Sequence, residues 1–330
     1  MRFWTLGPYF FKKLMFAIIT VWLAITADFA LPRLMGGNPA LALASKTALG
    51  SPAVVKALER AFGLYHTSVL QQYGDFIVQM LHGNLGISYE YYPESVTQVV
   101  FSALPYTVGL VLSATVLSFL LGTLLGVVAA WHQGRRVDDW SVGVAFIFFA
   151  IPYFWLAMLL VYVFAFLLGW LPMGQALPVS VVPLPPLALG LGIIRHAVLP
   201  VASLVLATAA SYLLIMRDNM LSVLAEDYMM LARAKGVPNR RLMFRYAARA
   251  ALLPSFTQLM LSLGSVVGGA LVTEVVFSYP GLGNLIYNAI LNHDYPVIQG
   301  AFLILALSVI SANFVADLLY PLLDPRVMLN

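Results

Sequence analysis

Cysteine is absent from all 330 residues, which excludes disulfides, thiolate metal ligands and thiol nucleophiles. Charge is scarce: Asp, Glu, Lys and Arg make up 10% of the chain, against about 25% in soluble domains. No Gly-x-x-x-x-Gly-Lys-Ser/Thr occurs, Lys46-Thr47 being preceded by Ser45, so the chain has no phosphate-cradling loop of its own. There is no His-Glu-x-x-His and no cluster with metal-ligand spacing, so no metal and no catalytic residue are assigned. The few ionisable residues fall near span ends or far apart. An intramembrane hydrolase needs a nucleophile and base together, and a proton-coupled carrier needs several such groups in mid-span. No internal repeat stands out, which argues against an inverted-repeat carrier.

What is present is apolar surface. Hydrophobic residues make up 61% of the chain, too much to shield from water, so the chain is read as an all-α polytopic membrane protein. Six runs are long enough to cross a bilayer, which takes about 20 apolar residues: Leu14–Leu31, Leu104–Ala130, Trp140–Trp170, Ala197–Met216, Leu252–Phe277 and Val297–Leu319. With both termini in the cytoplasm, thirteen of the 18 Lys and Arg lie on the inner side, leaving Arg33, Lys46, Lys56, Arg60 and Arg195 outside. That is the usual bias of inner loops. The basic residues thus follow membrane topology, lipid is the expected surrounding, and no nucleic-acid partner is expected. We read residues 1–330 as one membrane domain. It has a cytoplasmic amphipathic N-terminus at 1–13, an extracytoplasmic loop with short helices at 32–100 and a cytoplasmic loop at 217–251. The first run is expected as a span and not a cleaved leader.

Within the outer loop, Ser51-Pro52 with Val54, Val55, Leu58, Ala61 and Phe62 predicts a helix ended by Gly63. Leu70, Tyr73, Phe76, Ile77, Met80 and Leu81 predict a second, ended by Gly83. Asp28, near the outer end of the first run, reads as a carboxylate reaching to the interface. Gly122 and Gly126 give a small-xxx-small stripe for close helix contact. Pro152 predicts a kink in the third run. Arg217-Asp218, at the inner end of the fourth, read as solvated or lipid-bound charges. Gly264, Gly268 and Gly269 form a second close-contact stripe. Ser262, Ser265 and Thr273 on the same run are its hydroxyls. Lining a path and packing against another span are both open readings for them.

Glu226 to Pro254 holds about a third of the Lys and Arg. Tyr228, Leu231, Ala232 and Lys235 recur at i, i+3, i+4 and i+7 and share one helical face. Gly236 ends that helix in a left-handed cap, and Pro238 prevents its continuation. A second helix with Arg240, Arg241, Arg245 and Arg249 leads into the fifth run. The stretch reads either as a basic loop that fixes topology or as a docking knob for a soluble partner. The topology-only reading would suit an ion-coupled secondary transporter.

Ala232-Arg233-Ala234-Lys235-Gly236 resembles the "EAA" loop of permease subunits of binding-protein-dependent ABC importers. Met230 and Leu231 stand where the general motif has Glu and Ala. The Arg-rich helix and Leu252-Leu253-Pro254 that follow are similar to the B-type subunit of the dipeptide/oligopeptide permease family. So are Tyr73-Gly74-Asp75, Leu168-Gly169-Trp170-Leu171-Pro172, Glu274 to Gly283 (EVVFSYPGLG) and Asp294 to Gly300. The resemblance implies a type I ABC importer permease fold with six transmembrane helices in a bacterial or archaeal cytoplasmic (inner) membrane. It implies a coupling helix inserted into an ATPase subunit, with Tyr228, Leu231, Ala232, Arg233, Lys235 and Gly236 as contact residues. It implies a second, homologous permease, two ATPase subunits and an extracytoplasmic substrate-binding protein as partners. It implies no cofactor on this chain, ATP and Mg being held by the ATPases. Ser262, Ser265 and Thr273 become pore-lining candidates. Glu274, Tyr279, Pro280, Gly281 and Gly283 become candidates for the outer mouth where a binding protein docks. Small peptides are the first substrate implied, with oligosaccharide or nickel as alternatives within the family.

Overall fold

A computed structural model describes residues 6–35, 56, 68–178, 185–264 and 270–323. The helix expected over Ser51 to Gly63, together with Ser265, Gly268 and Gly269, lies outside the described residues. Helices run α1 Leu6–Met35, α2 Val69–Leu81, α3 Val96–Trp131, α4 Arg136–Ala150, α5 Tyr153–Leu160, α6 Pro186–Leu224 and α7 Asp227–Ala234. A π-helical turn, Val161–Leu167, continues α5. Next, α8 joins Asn239–Arg241, a second π-helical turn Leu242–Ala248 and Arg249–Gly264. Last come α9 Leu271–Val276, α10 Leu282–Asn292 and α11 Tyr295–Leu323. Among the described residues there is no strand, only an isolated bridge between Ile87 and Ser95.

The fold class is all-α, as the composition predicts. Among the described residues four helices are long and apolar enough to cross a bilayer: Phe10–Ala30 within α1, α3, α6, and Tyr295–Val315 within α11. The pair Arg136–Ala150 and Tyr153–Leu167, bent by 98° at its break, passes the same test when taken together, as a broken span or a re-entrant loop. The third run is therefore a corner, sharper than the kink its proline predicts. Pro152 has no N–H to donate, and its ψ of 127°, like that of Ile151, ψ 127°, is extended. The expected fifth run falls on α8 and α9, with residues 265–269 between them outside the described set. Both α3 and α6 outgrow their expected ends. Ser95 accepts from Gln98 N at 3.2 Å and starts α3 two turns before Leu104. Pro186 sits in the first turn of α6, where its missing donor costs nothing. At about 1.5 Å per residue, the 36 residues of α3 and 39 of α6 exceed the bilayer core of about 30 Å.

The chain forms two compact units, Met1–Thr107 with Pro280–Ser311, and Val108–Tyr279 with Ala312–Asn330. In the first, Ser68 and Gln71 cap α2 reciprocally, and Gly83 ends it at φ +74°. Its Tyr73 and Phe76 pack on Phe29 of α1, with ring centroids 5.0 Å and 5.6 Å apart, and Tyr73 OH meets Thr26 Oγ1 at 2.7 Å. Asp28, expected to reach the interface, is instead 5% exposed with no hydrogen-bond partner for either carboxylate oxygen. The aromatic pair from α2 packs on its neighbour Phe29, and Gln299 of α11 donates to the Asp28 carbonyl at 3.2 Å.

In the second unit α3 lies against α6 at its glycines. A Cβ at Gly122 would strike the Ala209 carbonyl and Tyr212, and one at Gly126 would lie 2.6 Å from the Leu213 carbonyl and 2.8 Å from Met216 Cβ. The expected stripe thus sets the approach of two helices. Around it, Phe119 packs edge-on to Tyr212, and Ser118 and Thr208 share a hydrogen bond of 2.7 Å.

Candidate functional site: the α7 helix and its base

The α7 segment is short because both ends are fixed by local chemistry. Glu226 enters with extended backbone, Asp227 occupies the first turn and Arg233 the last, matching the helix dipole. At the other end Gly236, φ +73°, takes the left-handed conformation. Its N–H donates to Arg233 O at 3.0 Å, and Val237 N–H donates to Ala232 O at 3.2 Å. This paired pattern is a Schellman cap, and it needs glycine at the turning residue.

One side of α7 is rooted. Met229 and Ala232 are buried with Val127 and Ala130 of α3, Met216 and Met220 of α6, and Leu242, Ala247 and Ala251 of α8. Three methionines meet here, and their flexible thioethers fill an irregular junction of four helices. Val237 packs on the same cluster, which supplies the apolar contact of the cap. The opposite side is bare: Tyr228, Met230, Leu231, Arg233 and Lys235 are exposed. Partial burial and the Glu226 carboxylate push the Tyr228 hydroxyl above its ordinary value. Ala232, grouped by periodicity with Tyr228, Leu231 and Lys235, belongs to the rooted face. Its position on the helical wheel lies between Tyr228 and Met229, and the methionine side takes it.

The base holds a feature that the sequence reading missed. Arg217 of α6 grips Asp138 of α4 with two bonds, Nε to Oδ1 at 2.6 Å and Nη2 to Oδ2 at 2.8 Å. Arg217 also reaches the neighbouring Asp218 at 3.3 Å, so this arginine is paired within the chain and not simply solvated. Asp138 stands in the first turn of α4, a favoured place for a carboxylate, but its partner lies 79 residues away. Nothing in a single sequence links the two.

The outer candidates separate. Ser262 accepts a hydrogen bond from Tyr212 OH at 3.0 Å, which ties α8 to α6. Thr273 is fully buried, and its hydroxyl has no partner. Ser265 lies outside the described residues. In the second unit Glu274 is buried at 0% exposure and Tyr279 at 5%. Tyr279 N–H donates to Glu274 O at 2.8 Å, and Gln175 N–H covers the Phe277 carbonyl at 2.8 Å. In the first unit Gly281 caps α10, Leu282 N–H donates to Thr107 Oγ1 at 2.7 Å, and Gly283 is buried. Of the five docking candidates only Pro280 is exposed, with Ser278 beside it. The other four are buried, each within its own unit.

A second polar centre was also unforeseen. Asp294 is buried and its Oδ2 accepts from Ser88 Oγ, from Tyr89 N at 3.1 Å and from Glu90 N at 3.0 Å. Asn292 adds a bond to Glu90 at 2.7 Å. Burial and the Asp294 charge together hold the Tyr89 hydroxyl well above its ordinary value. The centre pins the 88–90 turn to the junction of α10 and α11. No group of three or more metal-ligating side chains occurs among the described residues.

Residues 122–329 match the family described as the binding-protein-dependent transport system inner membrane component. Across nearly the whole chain there is similarity to curated permeases. The di/tripeptide transport system permease protein DppB of Pseudomonas aeruginosa is 34% identical over 329 residues, covering 96% of this chain and 97% of that one. A putative peptide transport system permease protein of Brucella abortus is 33% identical over 316 residues, with the same coverage. The oligopeptide transport system permease protein OppB of Salmonella typhimurium is 32% identical over 316 residues, again covering 96% and 97%.

Proposed function

The chain belongs to the family of inner membrane components of binding-protein-dependent transport systems, and on that premise we propose that it forms one half of the pore of an ATP-driven importer of short peptides. One observation supports the coupling role most directly. The α7 helix is rooted on one side by Met229 and Ala232 and presents Tyr228 and Leu231, 43% and 56% exposed, on the other. Such a projecting helix suits the cleft of an ATPase subunit, with Arg233 and Lys235 beside the contact and Gly236 making the turn out of it.

In this reading a second permease of similar size completes the pore. Two ATPases bind from the cytoplasm and hold ATP and Mg, and this chain breaks no bond. Closure of the ATPase pair drags α7 and its base, and the pore alternates between inward- and outward-facing states. An extracytoplasmic binding protein delivers the solute to the outer mouth. Both termini are cytoplasmic by the distribution of Lys and Arg. Peptides are the first choice because the relatives named above are peptide permeases. Oligosaccharides and nickel are the alternatives.

The test is purification of the chain from its native membranes in mild detergent, with mass spectrometry of what accompanies it. Recovery of a second permease and P-loop ATPases supports the reading. The co-purified binding protein then reveals the solute by its ligand. Recovery of the chain without any ATPase, after crosslinking in the membrane, overturns it in favour of an ion-coupled carrier.

A further inference from the structure

We propose that the Asp138–Arg217 pair is a strut that makes α4 travel with α6, so that a displacement received by α7 reaches the bent α4–α5 pair. The proposal rests on the coupling role assigned to α7. Arg217 follows Met216 and precedes Met220, the two methionines of α6 on which α7 is rooted. Its fork closes on a carboxylate that is 3% exposed, and Gly134 N–H adds a third bond to Asp138 Oδ2 at 3.2 Å. A bidentate guanidinium–carboxylate contact fixes both distance and angle.

The helices also meet through apolar contact, which carries no hydrogen bond to fix an angle. It includes Ala145 against Ala210 and Leu213, with Leu214 alongside. Of the large side chains of α4, Trp140, Phe146, Ile147 and Phe149 are exposed and Phe148 is half-buried. The pair therefore sets where the inner end of α4 sits relative to the α7 base. Asp138 and Arg217 are positioning residues that touch no solute.

The absence of cysteine allows spin labels at Trp140→Cys on α4 and Ser222→Cys on α6, both at exposed positions. Pulsed EPR then reads their separation with the full chain in nanodiscs. It is read alone, bound to its ATPases without nucleotide, and trapped with Mg-ATP and vanadate. The expected result is a single narrow distance that is the same in all three states. Asp138→Asn should lose that narrow distance in the chain alone and add a second one on trapping, while ATP hydrolysis continues. Asp138→Glu, which keeps the carboxylate, should preserve it. The strut is overturned if Asp138→Asn leaves all three distributions unchanged, or if Asp138→Glu broadens them as much as Asp138→Asn does. Should Asp138→Asn fail to fold, Arg217→Lys, which keeps the charge but not the fork, is judged by the same criteria. Failure of the coupling role looks different: the wild-type chain binds no ATPase, while the nanodisc measurement on the chain alone still reports on the pair.

Discussion

Gly236 offers the sharpest test of how α7 is presented. Its φ of +73° lies in the left-handed region, and a Cβ built there meets nothing within 4 Å. Any penalty for a side chain is thus one of backbone conformation and not of crowding. An ordinary L-residue pays about 1–2 kcal/mol in this region, Asn pays less because it visits the region readily, and a β-branched residue pays more. A penalty of that size lowers the population of the capped geometry about 5- to 30-fold. The two cap bonds, Gly236 N–H to Arg233 O and Val237 N–H to Ala232 O, would be given up in the same step. The affinity of nanodisc-embedded chain for the purified ATPase subunits should therefore fall in the order Gly, Asn, Ala, Val. The melting temperature should change little, because Gly236 is exposed. If Gly236→Asn binds as poorly as Gly236→Val, or if Gly236→Val binds like the wild type, the conformational argument fails.

The two faces of α7 should respond in opposite ways. Met229→Ala, at a position with 0% exposure, should destabilise the chain by about 2–5 kcal/mol, seen as a lower melting temperature. Leu231→Ala should leave stability within about 0.5 kcal/mol while weakening ATPase binding. Gly126→Leu should cost about 1–3 kcal/mol through overpacking, since the Leu213 carbonyl 2.6 Å from the new Cβ is backbone and cannot yield. Gly143→Ala on α4, where nothing lies within 4 Å, should instead be neutral or stabilising by about 0.5–1 kcal/mol, and thermal melting compares the two. Asp294→Ala should strand Ser88 Oγ and the N–H groups of Tyr89 and Glu90, at about 1–3 kcal/mol for each buried group left unpaired. Limited proteolysis near residues 88–95 should then accelerate, and Asp294→Asn, which keeps one acceptor oxygen, should show a smaller effect.

What could be read from the sequence was whatever depends on neighbours along the chain. The cap at Gly236, the end of α2 at Gly83 and the stripe at Gly122 and Gly126 are local signals, and the structure has each of them. The helical face of α7 was read almost correctly. Its error at Ala232 comes from asking which residues share a face without knowing which face is covered. The contacts that went unseen are distant in sequence: Asp138 with Arg217, Asp294 with Ser88, and the packing of Tyr73 and Phe76 of α2 on Phe29 of α1. Acidic residues in a first turn and a carboxylate before a Tyr-Pro helix start are ordinary capping signals, and their partners become visible only when the chain is folded. The turn at Ser278 to Gly283 shows a further limit. Its residues were recognised, but a motif does not say which members face outward and which hold the turn together.

The corner at Ile151–Pro152 bears on what surrounds this chain. Helix ends leave backbone donors and acceptors without intrahelical partners, and hydrocarbon offers them none. Each such group costs several kcal/mol in lipid, so a break at membrane depth is tolerated only against protein or water. Pro152 and the adjoining Ala150 and Phe149 are exposed on this chain. If the corner lies at that depth, its outer side is a stretch of perimeter from which lipid is excluded, to be filled by another polypeptide or by an aqueous passage.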